Sequence, residues 1–186
     1  IVFDPTPTPT SQFGQSVNAG RTRREGLELS WTGSLAKTLS GFAHVTWTNA
    51  EFLNGPDHGR TVPLVPGERV SLGVDWDLPA GIGLSADALY VSDQVLDNDS
   101  ANAEKRLDSY TVVNLRARAL VLGPSLRARK GETLRGIHVF AEVWNLFDKE
   151  YSTRGISAFD FSTFTNQVFL TPAPGRRLLG GIEWTF

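Results

Sequence analysis

Arg69-Val-Ser-Leu-Gly-Val-Asp-Trp-Asp-Leu78, then Pro79-Ala-Gly81, then Ile82-Gly-Leu-Ser-Ala-Asp-Ala-Leu-Tyr-Val-Ser92, is the stretch that decides the fold class. Val70, Leu72, Val74, Trp76 and Leu78 alternate with Arg69, Ser71, Asp75 and Asp77, a period of two that an extended strand turns into one apolar and one polar side. Pro79 and Gly81 reverse the chain. Ile82, Leu84, Ala86, Ala88 and Tyr90 then alternate with Gly83, Ser85 and Asp87 on the way back. The stretch reads as a β-hairpin with the same parity kept on both arms.

The pattern continues outward on both sides. Upstream, residues 21–32 set Leu27, Leu29 and Trp31 against Gly26, Glu28 and Ser30, and 37–51 set Leu39, Ala43, Val45 and Trp47 against Ser40, His44, Thr46 and Thr48. Downstream, 109–122 (Val113, Leu115, Ala117, Ala119, Val121), 134–149 (Ile137, Val139, Ala141, Val143) and 176–186 (Leu178, Ile182, Trp184, Phe186) repeat it. This gives seven strands and no helix of ordinary length. Ile1 to Phe3 reads as a strand end, and the Pro/Thr-rich run from Pro5 to Gln12 as a surface loop. Connections 33–36 and 79–81 are short, 52–68, 93–108 and 152–174 are long, and 123–133 is intermediate. Long loops on one side and mostly short turns on the other is the asymmetry of outer-membrane barrels.

Composition narrows the alternatives. With 186 residues, 40% hydrophobic and 20% charged, the chain suits one folded unit and not a disordered one. A net charge of −2 without a basic run gives nothing that favours nucleic acid. The lack of cysteine removes disulfides, thiolate metal sites and cysteine nucleophiles. Without any methionine or a charged-then-apolar leader, the start at Ile1 reads as a cut, and the chain as a fragment. No run approaches the ~20 apolar residues of a spanning helix, so any membrane crossing has to be by a closed barrel that pairs every backbone amide.

Along the cores of all seven strands the apolar parity carries no Asp, Glu, Lys or Arg. Glu28, Arg69, Asp75, Asp77, Asp87, Arg116, Arg118, Glu142, Arg177 and Glu183 all lie on the other. A soluble β-sandwich also alternates, so period alone leaves sandwich and barrel open. Three features favour the barrel. Trp31, Trp76, Trp184 and Phe186 fall toward the short-turn ends of their stripes and Trp47 and Tyr90 toward the long-loop ends, as two interfacial girdles would. Several strands reach the ~9–11 residues of a tilted spanning strand. The last alternating strand ends on an aromatic residue.

Five motifs in order carry a family resemblance: Gly26-Leu-Glu-Leu29, Val65-Pro-Gly-Glu-Arg69, Leu107-Asp-Ser-Tyr-Thr-Val-Val-Asn-Leu115, Val143-Trp-Asn-Leu-Phe-Asp-Lys-Glu-Tyr151, and Pro174-Gly-Arg-Arg177 leading to Phe186. From Asn18 onward the chain resembles the C-terminal end of the TonB-dependent outer-membrane receptors. The resemblance implies an all-β, antiparallel transmembrane β-barrel segment, the last seven of about 22 strands around a plug, with the long loops outside the cell. It also implies a Gram-negative outer membrane, with lipid, the protein's own plug domain, the TonB energy-coupling protein reached through an N-terminal region, and the barrel-assembly machinery as partners. Neither plug nor coupling box occurs in these residues. By the same resemblance the cargo is a ferric siderophore or related metal chelate, which is transported and not held as a cofactor. Cobalamin, haem and oligosaccharides remain open, as do a passive porin-like barrel and a soluble binding sandwich. Leu178, Ile182, Trp184 and Phe186 look like the barrel-assembly signal, and also like ordinary lipid-facing side chains.

Candidate ligand contacts fall in the long loops. His58 and Arg60 lie beside Asp57 in one, and Arg154, Phe159 and Phe161 in another, where cationic and aromatic side chains suit an anionic or aryl chelate. The alternative for each is a solvated loop or one packed on itself, or a continuation of the barrel strands above the membrane. Asp97-Asn-Asp99 with Asn102 offers oxygen ligands to calcium without completing an EF-hand, and otherwise reads as solvated polarity. His44, His58 and His138 show no metal-ligand spacing, and no phosphate loop, metal-binding helix or nucleophile elbow occurs. A transporter and not an enzyme is the expectation.

Overall fold

The computed structural model describes residues 2–4, 9, 15–17, 20–122, 136–160 and 162–185. Eleven strands run in chain order: β1 (Val2–Asp4), β2 (Gln15–Val17), β3 (Thr22–Ala36), β4 (Leu39–Phe52), β5 (Glu68–Leu78), β6 (Ile82–Val91), β7 (Tyr110–Leu122), β8 (Gly136–Trp144), β9 (Ser152–Asp160), β10 (Thr165–Pro172) and β11 (Arg177–Thr185). Seven of them form one antiparallel sheet in the order β11-β8-β7-β6-β5-β4-β3. These are the seven strands read from alternation, each pairing with its neighbour in that list.

Register carries the parity across the sheet. Directly opposite residues share a face, and the pairs Trp31↔Ala43, Ala43↔Leu72, Leu72↔Ala88 and Ala88↔Val113 lay one apolar row across five strands. On the other face the pairs Ser40↔Asp75, Asp75↔Ser85, Ser85↔Arg116 and Arg116↔Glu142 lay a polar one. A slip of one residue in any strand would break both rows.

The apolar face has no cover among the described residues. Leu27 is 54% exposed, Leu178 76% and Ile182 74%, values a sandwich core would not leave. Burial instead concentrates at the long-loop end, where Ala50, Phe52, Val91, Val95, Leu96, Leu107 and Val112 are almost inaccessible. Charge enters the apolar parity at the Leu27↔Trp47 row, where Glu68 faces Trp47, and beyond it, where Arg23 bonds Glu51 at 2.5 Å and Glu25 at 3.1 Å. That row marks where the stripe ends.

Three boundaries differ from the sequence reading. β3 and β4 continue past residues 33–36 to a tight turn at Lys37–Thr38, because Gly33 faces Gly41 and the Trp31 indole lies over Gly33. β8 stops at Trp144, since Asn145 takes a left-handed conformation (φ 55°) that no strand continues through. Residues 152–174, expected as one long loop, hold a second hairpin, β9–β10, paired from Thr165↔Asp160 to Pro172↔Ser152. Of the strand end expected at Ile1 to Phe3, Val2 and Phe3 lie in β1, paired with β2, and Ile1 lies outside the described residues.

Candidate functional site

Two surfaces hold the polar chemistry: the polar face of the sheet and the cluster of long connections at one end of it. On the polar face, β7, β8 and β11 form a ladder of opposite charges and rings. The Arg177 guanidinium lies 5.9 Å from the Trp144 ring, whose indole N–H donates to Glu142 at 3.0 Å. Glu142 pairs with Arg116 at 3.2 Å, and Arg116 stands 5.5 Å over Phe140. Arg118 pairs with Glu183 at 3.3 Å. Phe42 and Phe140 each cover the glycine opposite, Gly73 and Gly181, filling a gap that a strand glycine otherwise leaves.

In β5 and β6 the carboxylates meet neutral donors instead. Ser85 donates its hydroxyl to Asp75 at 2.6 Å, and the Asn114 amide donates to Asp87 at 2.8 Å. His138, opposite Glu183 on the same face, is 1% exposed, and among the described residues neither its ring nitrogens nor the Arg118 Nε has a hydrogen-bond partner.

The loop cluster is stitched through residues 92–109. Arg60 donates its guanidinium to the Ala101 carbonyl, and Asn102 exchanges two hydrogen bonds with the Thr61 backbone at 2.9 and 3.0 Å. Leu64 donates its amide to Val95. On its other side the same loop joins β9 in a parallel bridge: the Asp97 amide donates to Gly155 at 2.8 Å and the Ser157 amide to the Asp97 carbonyl at 2.9 Å. The Asp97 carboxylate pairs with Arg154. Gly155 is buried where a Cβ would meet Leu96 and Leu170, so glycine permits this approach.

The oxygen-rich segment braces this loop. Asp99 accepts the amides of Ala103 and Glu104 at 2.8 and 3.1 Å, while Asp97 and Asn102 are turned to the contacts above. Among the described residues no three His, Asp or Glu side chains converge as a metal cluster.

The structure therefore brings Arg60 and Arg154 onto one loop, through Ala101 and Asp97. His58 stays apart and exposed in a turn closed by its amide to Gly55. Phe159 sits at the far end of the β9–β10 hairpin, edge-on to Phe164 at 6.4 Å, and Phe161 lies outside the described residues. The turn there is tied by Asp160, which accepts the Ser162 hydroxyl and amide, bonds that hold its carboxyl below the ordinary range. Leu178, Ile182 and Trp184 stand exposed on the apolar face of β11, with Phe186 outside the described residues.

Comparison with known proteins now bears on this geometry. Residues 1–129 match the family model described as TonB dependent receptor-like, beta-barrel. The chain belongs to the TonB-dependent receptor β-barrel family. A stretch of 140 residues is 31% identical to the ferrioxamine receptor of Yersinia enterocolitica, covering 73% of this chain and 18% of that receptor. Among solved structures, the siderophore receptor PiuA of Acinetobacter baumannii superposes with a TM-score of 0.68 at 19% identity, over 88% of this chain and 22% of that one. The ferric yersiniabactin uptake receptor FyuA of Yersinia pestis gives 0.66 at 23% identity, over 89% and 23%. This TonB-dependent receptor segment thus spans about a fifth of its relatives' length.

Within the receptor segment, sequence reasoning missed the joints that carry the loops. Asn145, of the Asn-Leu-Phe-Asp motif, is buried with its side chain donating to Lys149 and Pro174 carbonyls and accepting the Lys149 amide. Asp148 accepts the Arg176 amide at 2.7 Å. Tyr110 and Tyr151 stack at 4.3 Å beside a cleft of about 250 Å³ that also meets Asp108 and Lys149. The motif itself was the available signal, since an asparagine between a strand and a turn suits a left-handed residue.

Proposed function

We propose that this chain is the C-terminal wall and external loops of an outer-membrane TonB-dependent receptor that imports a ferric siderophore. The observation that carries the reading is the uncovered apolar face, uncharged across seven strands and bounded by tryptophans, which suits hydrocarbon and no protein interior. The charged face then lines a wet lumen, and the stitched loops stand outside the cell. The identity to a ferrioxamine receptor supports a ferric siderophore such as ferrioxamine as cargo. A plug, TonB, lipid and the barrel-assembly machinery are the partners of the whole polypeptide in this reading, and β11 supplies the assembly signal.

The test is a deletion of the parent gene in its host, scored for growth on ferrioxamine-bound iron as sole iron source. Growth is expected to fail and to return with the full-length gene. Unimpaired growth overturns the cargo, and a parent protein found outside the outer-membrane fraction overturns the transport reading itself.

A further inference from the structure

The β9–β10 hairpin carries Arg154 and Phe159, yet within the described residues it has backbone pairing to the rest of the fold only at its flank, through Asp97, and at its root. At the root the Ala173 amide donates to the Tyr151 carbonyl, Asp148 accepts the Arg176 amide, and one further side chain spans both legs. Asn145 Nδ2 donates to the Lys149 carbonyl at 3.0 Å on the ascending leg and to the Pro174 carbonyl at 3.5 Å on the descending leg, while its Oδ1 accepts the Lys149 amide at 2.8 Å. Every polar atom of that side chain is spent holding the two legs in register. Its backbone is in the left-handed region; the Asp148 amide donates to its carbonyl at 2.9 Å and the Leu146 amide donates to the Val113 carbonyl of β7 at 2.8 Å.

The Asn145 amide is seated by Asn114. The Asn114 Oδ1 accepts the Asn145 amide at 3.0 Å, and its Nδ2 donates to Asp87 at 2.8 Å. An asparagine amide is planar, so the orientation that serves Asn145 is the one that Asp87 selects: with the carboxylate as acceptor, the amino group has to point at it and the oxygen at Asn145. Asp87 lies on the polar face of β6, opposite Asn114, beside the row that holds Asp75 and Arg116.

We infer that Asp87, Asn114 and Asn145 form a positioning relay that sets the external hairpin from the lumen side of the wall. This rests on the reading of the long loops as the ligand-receiving surface. A cationic group reaching Asp87 from inside the barrel competes with the Asn114 amide. Asn114 is then free to turn, the Asn145 amide loses its acceptor, and the hairpin root loosens. The hairpin that carries Arg154 and Phe159 thereby responds to what occupies the lumen, through three hydrogen-bonded side chains and no movement of the sheet.

The test uses the full-length receptor in outer membranes, freed of other cysteines, with nitroxide labels at Asn166→Cys beside the hairpin turn and Thr38→Cys on the opposite turn of the sheet. Asn114→Asp keeps an acceptor for Asn145 but sets a second carboxylate against Asp87. It is expected to lose the single narrow distance of the parent while folded, heat-modifiable migration persists. The exchanged pair Asp87→Asn with Asn114→Asp restores a donor facing an acceptor, and with it the narrow distance. A narrow distance in Asn114→Asp, or a failure of the exchanged pair to restore it in protein that migrates as folded, overturns the relay. Should Asn114→Asp not fold, Asp87→Val carries the same test: a broad distance supports the relay and an unchanged one refutes it. Since the readout is geometry and not iron uptake, a wrong cargo would leave it standing.

Discussion

Val74→Arg is the substitution that most directly separates lipid from water on the apolar face. From Val70 to Leu78 the stripe of β5 runs eight residue steps, about 26 Å along the strand at ~3.3 Å per residue. With a barrel tilt of about 40° this covers roughly 20 Å of a ~25 Å apolar band, and Val74 is its midpoint. Val74 is 41% exposed and faces Gly41 and Ala86, so an arginine fits without steric conflict and the cost is solvation alone. At the bilayer midplane that cost is about 2–4 kcal/mol, or roughly 30- to 700-fold in the folding equilibrium. Leu78→Arg, at the short-turn end where the side chain can reach the interface, should cost no more than about 1 kcal/mol. Ser71→Arg, on the lumen face, should also stay near the parent. The assay is reversible urea unfolding of the full-length receptor in lipid vesicles. If Val74→Arg and Leu78→Arg cost the same, or both are neutral, the stripe does not touch hydrocarbon.

Three further outcomes follow from the same coordinates. His138→Leu removes two buried ring nitrogens that bond to nothing among the described residues, so the thermal midpoint for loss of the compact gel form should hold or rise, by up to about 1–3 kcal/mol of stability; a clear fall would show that His138 has a partner. Gly155→Val drives side-chain atoms into Leu96 and Leu170 at about 1–3 kcal/mol of overpacking, so trypsin added to intact cells should cut faster at Lys105 and Arg106 than in the parent. Asp160, its carboxyl lowered by the Ser162 hydroxyl and amide, ties the hairpin turn fully above its unfolded value and loses that contribution as pH falls through the lowered folded one; a nitroxide at Thr163→Cys should gain mobility only in that acid window, and gain at neutral pH would refute the assignment.

The sheet was legible in the sequence because, on the proposed reading, each strand sets one side against lipid. Each outward position has to be uncharged, so parity survives from Leu27 to Trp184 and the register follows from it. The β9–β10 hairpin was not legible, because Ser152 to Asp160 stands above the stripe, where no solvent demands an alternating face; its pairing depends on partners such as Ile156↔Phe169 that only the fold brings opposite. The loop core was equally hidden. Val95, Leu96 and Leu107 have no period, and the ion pair that sets Arg154 reaches back to Asp97 across two strands of the sheet. Charge and aromaticity single out loop residues one at a time, whereas the fold decides which of them share a neighbourhood: Arg60 and Arg154 do, and His58 does not.

Four of the five motifs that made the family readable stand at joints, while Gly26-Leu-Glu-Leu29 lies within the β3 ladder. Gly67 accepts the Thr48 amide, Ser92 accepts the amide of Glu68, Asn114 and Asn145 seat the hairpin root, and the Pro174 carbonyl and Arg176 amide are held by Asn145 and Asp148. Each is a place where a strand leaves the ladder and its backbone groups need a new partner out of water's reach, a demand set by the wall and indifferent to what the receptor carries. Cargo selection has no such fixed geometry, since the loops that meet a chelate need only be anchored at their roots. Family was therefore readable from short motifs while cargo was not, and on the proposed reading the residues to alter for selectivity are those beyond the joints, on the Arg60, Asp97 and Arg154 cluster and the Phe159–Phe164 turn.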